Sequence, residues 1–469
     1  MESGSHTHGR RLAASSALAL LLLVTSMLPR AFAQPPETVS TEARKQEAPA
    51  FDSGAPPPTR IPLAPGVNLG VRVELEYQRE DNFDLDKSVA DDEWFWEPRL
   101  RVALSYAPTP RYTFLVDFEG ARRNVDDERG RAESETRLEM KQAYISINQP
   151  VEGLTVQLGR IRLKDPREWL YDEELDGGRF FYAFSKYAVE FSVTQKNDRD
   201  FLHGGDSDPD DAPTDESVTN FVLIGKYMPV KDVEVDIYGF LRDDRTDADE
   251  RPLFLGLHSH GEPFDNFTYW LEAALVRGKS GPRDIEGTGF DVGFTYEIKH
   301  WLRYNATLGY AFGSGDDDPN DGKDKNFRQT GFQENEDKVG GIRRIQYYGE
   351  LLDPELSNLH ILTAGAGIRS PSKNLSLEFL YHLYRQDKAS TNASIAGRDL
   401  TSLSEEPLGA DKEFGEEFDI VAAYRTNHFR TKLSLGWFKP GEAFKLRPNN
   451  TIREVDNAFF AELKATYEF

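Results

Sequence analysis

The last stretch of the chain, Ala458 to Phe469, alternates between two kinds of side chain. One parity is apolar and consists of Phe459, Ala461, Leu463, Ala465, Tyr467 and Phe469. The other parity is mostly polar and consists of Phe460, Glu462, Lys464, Thr466 and Glu468. Because successive side chains of a strand point to opposite faces, a strand here would have one apolar and one wet face. An amphipathic last strand ending on aromatic residues is typical of the closing strand of an outer-membrane barrel; a soluble β-sandwich is the alternative.

Similar alternating segments recur from Val67 onward, and two kinds of connection separate them. Short connections are predicted at Ala107 to Arg111, Asn148 to Gly153, Met228 to Lys231, Lys299 to Trp301, Ser370 to Asn374 and Arg425 to His428. Long acidic ones include 198–216, 242–250 and 313–354. In bacterial barrels short turns face the periplasm and long loops face outside, so both termini are expected to be periplasmic and the strand number even. We predict an all-β, antiparallel up-and-down transmembrane barrel of about eighteen strands. Sixteen is the alternative, because 179–184 and 251–257 are weak strand segments.

Composition limits the other classes of protein. The chain has 469 residues and a net charge of −24, with a pI near 4.9 and a mean hydropathy of −0.59. No apolar run of about 18 residues follows residue 33, which argues against a helical membrane protein, whereas a barrel hides its apolar band in alternating strands. The acidity argues against nucleic acid as a partner. The chain has no cysteine, so disulfides and thiolate metal sites are excluded.

The chain divides into three parts. Residues 1–33 resemble a secretory signal peptide, because Arg10 and Arg11 precede an apolar run and Ala31-Phe32-Ala33 supplies a cleavage site. Residues 34–66 form a proline-rich stretch that we interpret as a periplasmic linker. Residues 67–469 are predicted to form the barrel, which places the protein in the cell outer membrane.

Motifs for metals and catalysis are weak. The acidic segment Asp316 to Gly322 lacks the ligand spacing of a calcium-binding EF-hand loop, so a solvated loop with at most loose divalent-cation binding is expected. His258 and His260 would share one strand face, but no third metal ligand is evident. No nucleophile–base arrangement or phosphate-binding loop stands out, so we expect neither a cofactor nor an enzyme.

The inward parity carries many charges. Arginines predicted to face the lumen include Arg72, Arg99 and Arg101, together with acidic residues on the same faces. After Gly159 the apolar parity changes, which predicts a bulge beyond which Arg160 and Arg162 face the lumen while Ile161 and Leu163 face lipid. A level of guanidinium groups would select anions, whereas crossed ion pairs would only shape the pore; the sequence leaves both interpretations open.

Several segments resemble the alginate export family of outer-membrane barrels. The resemblance lies in ELEYQRED, WFWEPRL, LGRIRLKDPREWLYDE, GSGD with FRQTGFQEN, and GELLDPELSNLH. It implies passive export of an anionic polysaccharide through an eighteen-stranded barrel with an arginine-rich constriction. By matching motif, the implied pore residues are Arg72, Arg99 and Arg160, followed by Arg328 and by Arg343 or Arg344. One departure is the short Arg425 to His428 connection, where such exporters can carry an extended periplasmic loop.

The sequence therefore predicts a non-enzymatic outer-membrane channel for an anionic polysaccharide or a uronate-like small anion. Its predicted path is lined by Arg72, Arg99, Arg160, Arg162, Arg328 and Arg343. Expected partners are this solute, outer-membrane lipid and periplasmic export components. The alternatives are a general porin for small solutes, and a barrel that serves as a platform for an adhesin or an envelope enzyme.

Overall fold

The structure is a computed structural model that describes residues 54–196, 218–245, 249–391 and 400–469, with the backbone alone at 201–203, 394–395 and 398–399. The predicted signal peptide and most of the predicted linker and of the acidic loop 198–216 lie outside the described residues. Eighteen long strands follow in order: β1 Val67–Asp81, β2 Glu93–Thr109, β3 Tyr112–Asp127, β4 Ala132–Asn148, β5 Leu154–Lys164, β6 Asp172–Phe184, β7 Tyr187–Gln195, β8 Val218–Tyr227, β9 Val233–Asp244, β10 Glu250–Phe264, β11 Phe267–Ser280, β12 Arg283–Lys299, β13 Arg303–Gly313, β14 Leu359–Arg369, β15 Leu375–Gln386, β16 Glu413–Arg425, β17 Phe429–Pro440 and β18 Ala458–Glu468. Among the described residues, no helix is both long enough and apolar enough to cross a membrane; the helix Glu442–Lys445 has four residues.

The strands close into a barrel. Each strand pairs antiparallel with the next one in sequence, and β18 pairs with β1 from Arg72↔Glu468 to Asp81↔Phe459. The prediction of eighteen strands is confirmed. The two weak segments, 179–184 and 251–257, belong to β6 and β10. A short strand, Ile61–Ala64, pairs with β1 ahead of the barrel, so sheet pairing begins inside the stretch predicted as a linker.

The alternation seen in the sequence separates the two faces of the wall. On β18 the side chains of Leu463 and Tyr467 are 44% and 42% exposed, whereas Glu462 is 5% exposed. Aromatic side chains also stack along the outer face near one end, as Phe184 does on Tyr187. Apolar groups therefore face the lipid and polar groups face the lumen, as expected of an outer-membrane barrel.

The two ends of the barrel differ in their connections. At one end all eight connections are short: 110–111, 149–153, 185–186, 228–232, 265–266, 300–302, 370–374 and 426–428. At the other end lie 82–92, 128–131, 165–171, 196–217, 245–249, 281–282, 314–358, 387–412 and 441–457. The second set includes the tight hairpins 128–131 and 281–282, so its members vary more in length than the sequence predicted. The connection at 426–428 is a tight turn, as predicted.

The β5–β6 hairpin leaves the wall and enters the lumen. β4 pairs with β5 only as far as Ala143↔Arg160, and further along β4 pairs instead with Phe201–His203. Gly159, at the bend, has a φ of +126°, a conformation that favours glycine. Beyond it, Ile161 and Leu163 are each 1% exposed and belong to an interior apolar cluster. The prediction that these two residues face lipid is wrong, because the hairpin turns inward and its apolar side packs inside the barrel.

Candidate pore constriction

Two segments meet inside the barrel and narrow it: the hairpin tip, residues 165–171, and the inner loop, residues 314–358. The side chain of Gln329 donates a 2.8 Å hydrogen bond to the Trp169 carbonyl oxygen, and the Thr330 hydroxyl donates to the Leu170 carbonyl oxygen. The rings of Trp169 and Phe327 stack with centroids 5.7 Å apart. The RQTG and REWL segments, which carry part of the family resemblance, are therefore packed against each other.

Arg167 fixes the hairpin tip to the wall and to the inner loop. Its guanidinium donates to Asp291 of β12 at 2.9 Å and to Asp337 of the inner loop at 3.1 Å. It also lies over the rings of Trp270 and Tyr347, at 4.5 and 4.1 Å from their centroids. Arg167 is buried, so these charged contacts replace its hydration. Arg167 was not among the predicted pore residues, although it lies in the DPREWLYDE segment that carries part of the family resemblance.

Strands β15 and β16 hold a second part of the inner loop. The buried carboxylate of Glu417 on β16 accepts hydrogen bonds from the backbone N–H groups of Leu351 and Leu352, at 2.7 and 3.1 Å. The hydroxyl of Tyr384 also donates to this carboxylate, at 3.0 Å. Between these ends, the Asn305 side chain donates to the Gly340 carbonyl oxygen at 3.3 Å. The same loop also pairs with Glu250 of β10 at 3.0 Å and with Lys432 of β17 at 3.3 Å, so it crosses the lumen between separate parts of the wall.

A polar cavity of about 340 Å³ lies beside this constriction. Its cationic lining residues are Arg72, Arg99, Arg101, Lys141, Arg162 and Lys464. Its acidic lining residues are Glu74, Glu119, Glu168, Asp172, Glu174, Glu334 and Glu336. The cavity is therefore a mixed-charge site in which cations and carboxylates are close to balance.

The predicted residues Arg72, Arg99 and Arg162 line this cavity, and each is bound to carboxylates. Arg72 pairs with Glu468 at 2.7 Å, and Arg162 pairs with Asp172. Three carboxylates surround Arg99, and they belong to Glu74 at 3.1 Å, Glu76 at 2.7 Å, and Glu97. Crossed ion pairs, the second of the two interpretations of the inward charges, are thus present along the lining.

The other three predicted residues do not line the cavity. Arg160 is buried and pairs with Asp176 at 3.3 Å. Arg328, in the inner loop, pairs with Asp324 and, at 3.0 Å, with Glu250. Arg343 is also buried. Burial lowers the pKa of the Arg343 guanidinium, while the nearby Glu74 and Glu336 oppose this shift.

Three cations in the lining were not among the predicted pore residues. They are Arg101, Lys141 and Lys464. Arg101 was expected to face the lumen, and its buried side chain pairs with Asp117 at 2.6 Å. Parity alone could have identified Lys464 on β18. On the acidic side, burial raises the pKa of Glu334 in the inner loop to about 7, and the neighbouring carboxylates of Glu336 and Asp172 add to the shift.

The residues of the two candidate cation sites, the His258–His260 pair and the acidic segment 316–322, bind other side chains of the protein. His258 is hydrogen-bonded to Glu272 and, at 2.6 Å, to His260. In the acidic segment of the inner loop, Lys325 pairs with Asp317 at 2.7 Å and with Asp321 at 3.2 Å. Within the part of the chain that the structure describes, no group of three or more His, Cys, Asp or Glu residues could hold a metal ion.

A closed eighteen-stranded barrel with a lumen narrowed by inward segments is the architecture of an outer-membrane porin. Several solved proteins of Pseudomonas aeruginosa share the fold. OccK11 (OpdR) matches with a TM-score of 0.53 and 14% identity over 90% of this chain and 99% of that one. OccK5 (OpdH) matches with a TM-score of 0.53 and 12% identity over 86% and 98%. OprD matches with a TM-score of 0.50 and 11% identity over 90% and 99%.

The chain belongs to the alginate export family, whose profile matches residues 66–457. A comparison with curated proteins gives no match. Family and fold together identify an outer-membrane protein that forms a channel.

Proposed function

We propose that the protein is a passive outer-membrane channel for an anionic polysaccharide or a small uronate-type anion. The observation that carries this proposal is the convergence of six cationic side chains on one cavity beside the constriction. The membership of the alginate export family supports it. No energy source is needed, because the solute moves down its own gradient.

The charge pairs explain how such a path binds an anion without holding it. A guanidinium stays charged and carries five N–H donors, so it can exchange one carboxylate partner for another. Arg99 has three carboxylates around it and can shift among them as a solute carboxylate passes. Since every incoming anion competes with resident carboxylates, binding is weak and release is fast, as conduction requires.

The packing of the lumen sets a size limit. The inner loop and the hairpin tip are bonded to each other and to separate parts of the wall, so the open cross-section is a fraction of the barrel. An extended, unbranched chain of uronates, or a single uronate, fits this path better than a branched polymer. The second candidate, a general porin for small solutes, is favoured by the seven carboxylates that line the same cavity.

The proposed solute class is tested by current block in planar bilayers. A trimer of galacturonic acid should block the wild-type channel at a concentration at least about tenfold lower than maltotriose, a neutral trimer of similar size, which corresponds to about 1.4 kcal/mol of charge recognition. The reversal potential in a KCl gradient should show anion preference. Equal block by both trimers would place the general-porin function first.

We also propose that both termini are periplasmic, with the inner-loop end of the barrel facing outside. Because the chain has no native cysteine, Asn320→Cys should react with an impermeant maleimide on intact cells, and Thr426→Cys should react only after the outer membrane is opened. Both side chains are exposed in the structure, so burial does not bias the comparison. If only Thr426→Cys is labelled on intact cells, the barrel has the opposite orientation.

A further inference from the structure

The N-terminal pore segment, residues 54–59, runs along the inner face of the wall. Next to it in sequence, Ile61–Ala64 pairs with β1 through Ile61↔Leu69 and Pro62↔Asn68. The hydroxyl of Ser105, a buried residue of β2, donates a 2.9 Å hydrogen bond to the Thr59 hydroxyl. At the other end of the segment, Gly54 lines the cavity of the constriction.

Gly70 provides the place where this segment lies against the wall. It is a buried residue of β1. A Cβ atom at Gly70 would lie 2.5 Å from the Pro57 carbonyl oxygen and 2.7 Å from that of Pro58. Both are backbone atoms, which cannot rotate away as the end of a side chain can. Any other residue at position 70 would therefore push the segment off β1.

The segment ends on two cations of the cavity. Arg72 donates a 2.9 Å hydrogen bond to the Ala55 carbonyl oxygen, and Arg101 donates a 2.9 Å hydrogen bond to the Gly54 carbonyl oxygen. Arg72 and Arg101 are directly opposite each other in the β1–β2 pair. The two carbonyl oxygens thus occupy acceptor positions that oxygens of an anionic solute would need in order to bind this pair.

The sequence makes the segment stiff. Pro56, Pro57 and Pro58 follow each other, and consecutive prolines favour the extended polyproline II conformation. A stiff segment loses little conformational entropy on docking. Like an extended polysaccharide, it presents a row of oxygen acceptors along the wall of the pore.

We propose that the N-terminal pore segment is an internal competitor that occupies the Arg72–Arg101 pair and yields it when an anionic solute enters. This inference rests on the proposed function, because it assigns a regulator to the same cavity. The probe in both tests below is the galacturonic acid trimer, and the conductance in KCl without trimer reports whether the segment lies in the pore.

Gly70→Ala should displace the segment. We expect a higher KCl conductance than wild type and block at about a tenfold lower trimer concentration, because the trimer no longer displaces two hydrogen bonds to charged donors. Gly225→Ala is the matched control on β8, since a Cβ there would lie no closer than 3.5 Å to its nearest neighbour, a side-chain atom of Ile237. Gly225→Ala should keep the wild-type KCl conductance and the wild-type sensitivity to block by the trimer.

Thr59→Cys combined with Ser105→Cys should fix the segment in the pore and weaken the block by the trimer. The two hydroxyl oxygens are at hydrogen-bonding distance, so a disulfide can form there in a chain without other cysteines. The oxidised double variant should be blocked about tenfold more weakly than the same protein after reduction. Failure of the disulfide to form, together with wild-type conductance of Gly70→Ala, would show that the segment does not lie in the pore and would overturn the inference.

The readouts separate this inference from the proposed function. If Gly70→Ala raises the KCl conductance but neither variant changes the trimer block, the segment lies in the pore without competing and the inference is wrong. The proposed anion path is then judged separately, from the trimer block of the wild-type channel. If wild type shows no preference for the trimer over maltotriose, the proposed function fails first.

Discussion

Replacing Arg167 with alanine should loosen the constriction and raise the single-channel conductance. The substitution removes the guanidinium that joins the hairpin tip to Asp291 and Asp337, and it leaves the nearly fully buried Asp291 without this cation. Breaking a buried ion pair by removing one partner costs about 3–5 kcal/mol. The wall has its own backbone ladder, so this loss should fall mainly on the packing between the hairpin tip and the inner loop.

Two measurements test this expectation. Conductance in planar bilayers should increase with larger current fluctuations, and the barrel should lose its compact form on heating in detergent at a lower temperature than wild type. Arg277→Ala is the control, because Arg277 on the neighbouring strand β11 donates hydrogen bonds to the backbone carbonyl oxygens of Val276 and Gly287. An unchanged conductance in Arg167→Ala would mean that the inner loop holds the constriction by itself.

Combining Arg99→Ala with Arg160→Ala should shift the reversal potential toward cation selectivity and weaken the block by uronate trimers. Most of the shift should come from Arg99, since its loss leaves Glu74, Glu76 and Glu97 without their shared cation. A unit charge about 4 Å away contributes about 4 kcal/mol at an effective dielectric near 20, so the potential around these three carboxylates should become more negative. Arg160→Ala alone should shift the reversal potential less, because its partner Asp176 is 38% exposed and is screened by solvent.

The control for this pair is Arg245→Ala, at a connection of the barrel. Its side chain is 61% exposed and pairs with Asp243 at 2.6 Å, so solvent and salt screen its charge. It should leave selectivity and block nearly unchanged. If the double variant keeps the wild-type reversal potential, the charges that set selectivity lie elsewhere in the lumen.

The alternation of side chains was enough to predict the barrel and its two faces. A strand exposes every second residue to lipid, so the contrast between Leu463 and Glu462 can be read in the sequence and reappears as exposure in the structure. The same rule predicted eighteen strands and placed Arg72, Arg99 and Arg101 inside. These properties are local, because each depends on residues next to each other in the chain.

The constriction was decided by tertiary contacts that no local pattern contains. Ile161 and Leu163 have the parity and apolar character of lipid-facing residues, yet they pack inside, because an apolar side chain can be buried equally well by lipid or by an inward loop. Gln329 meets Trp169 across 160 residues of sequence.

The same holds for the ion pairs of the cavity. With 80 acidic residues in the chain, the sequence offers each arginine many partners, and the pairing depends on which strands the closed barrel brings together. Arg72 binds Glu468 only because the last strand returns to the first. For the strands that stay in the wall, the sequence by itself determined which side chains face the lumen. The inward turn of the β5–β6 hairpin, the inner loop and barrel closure decided which side chains meet, because those contacts join parts of the chain that are far apart in sequence.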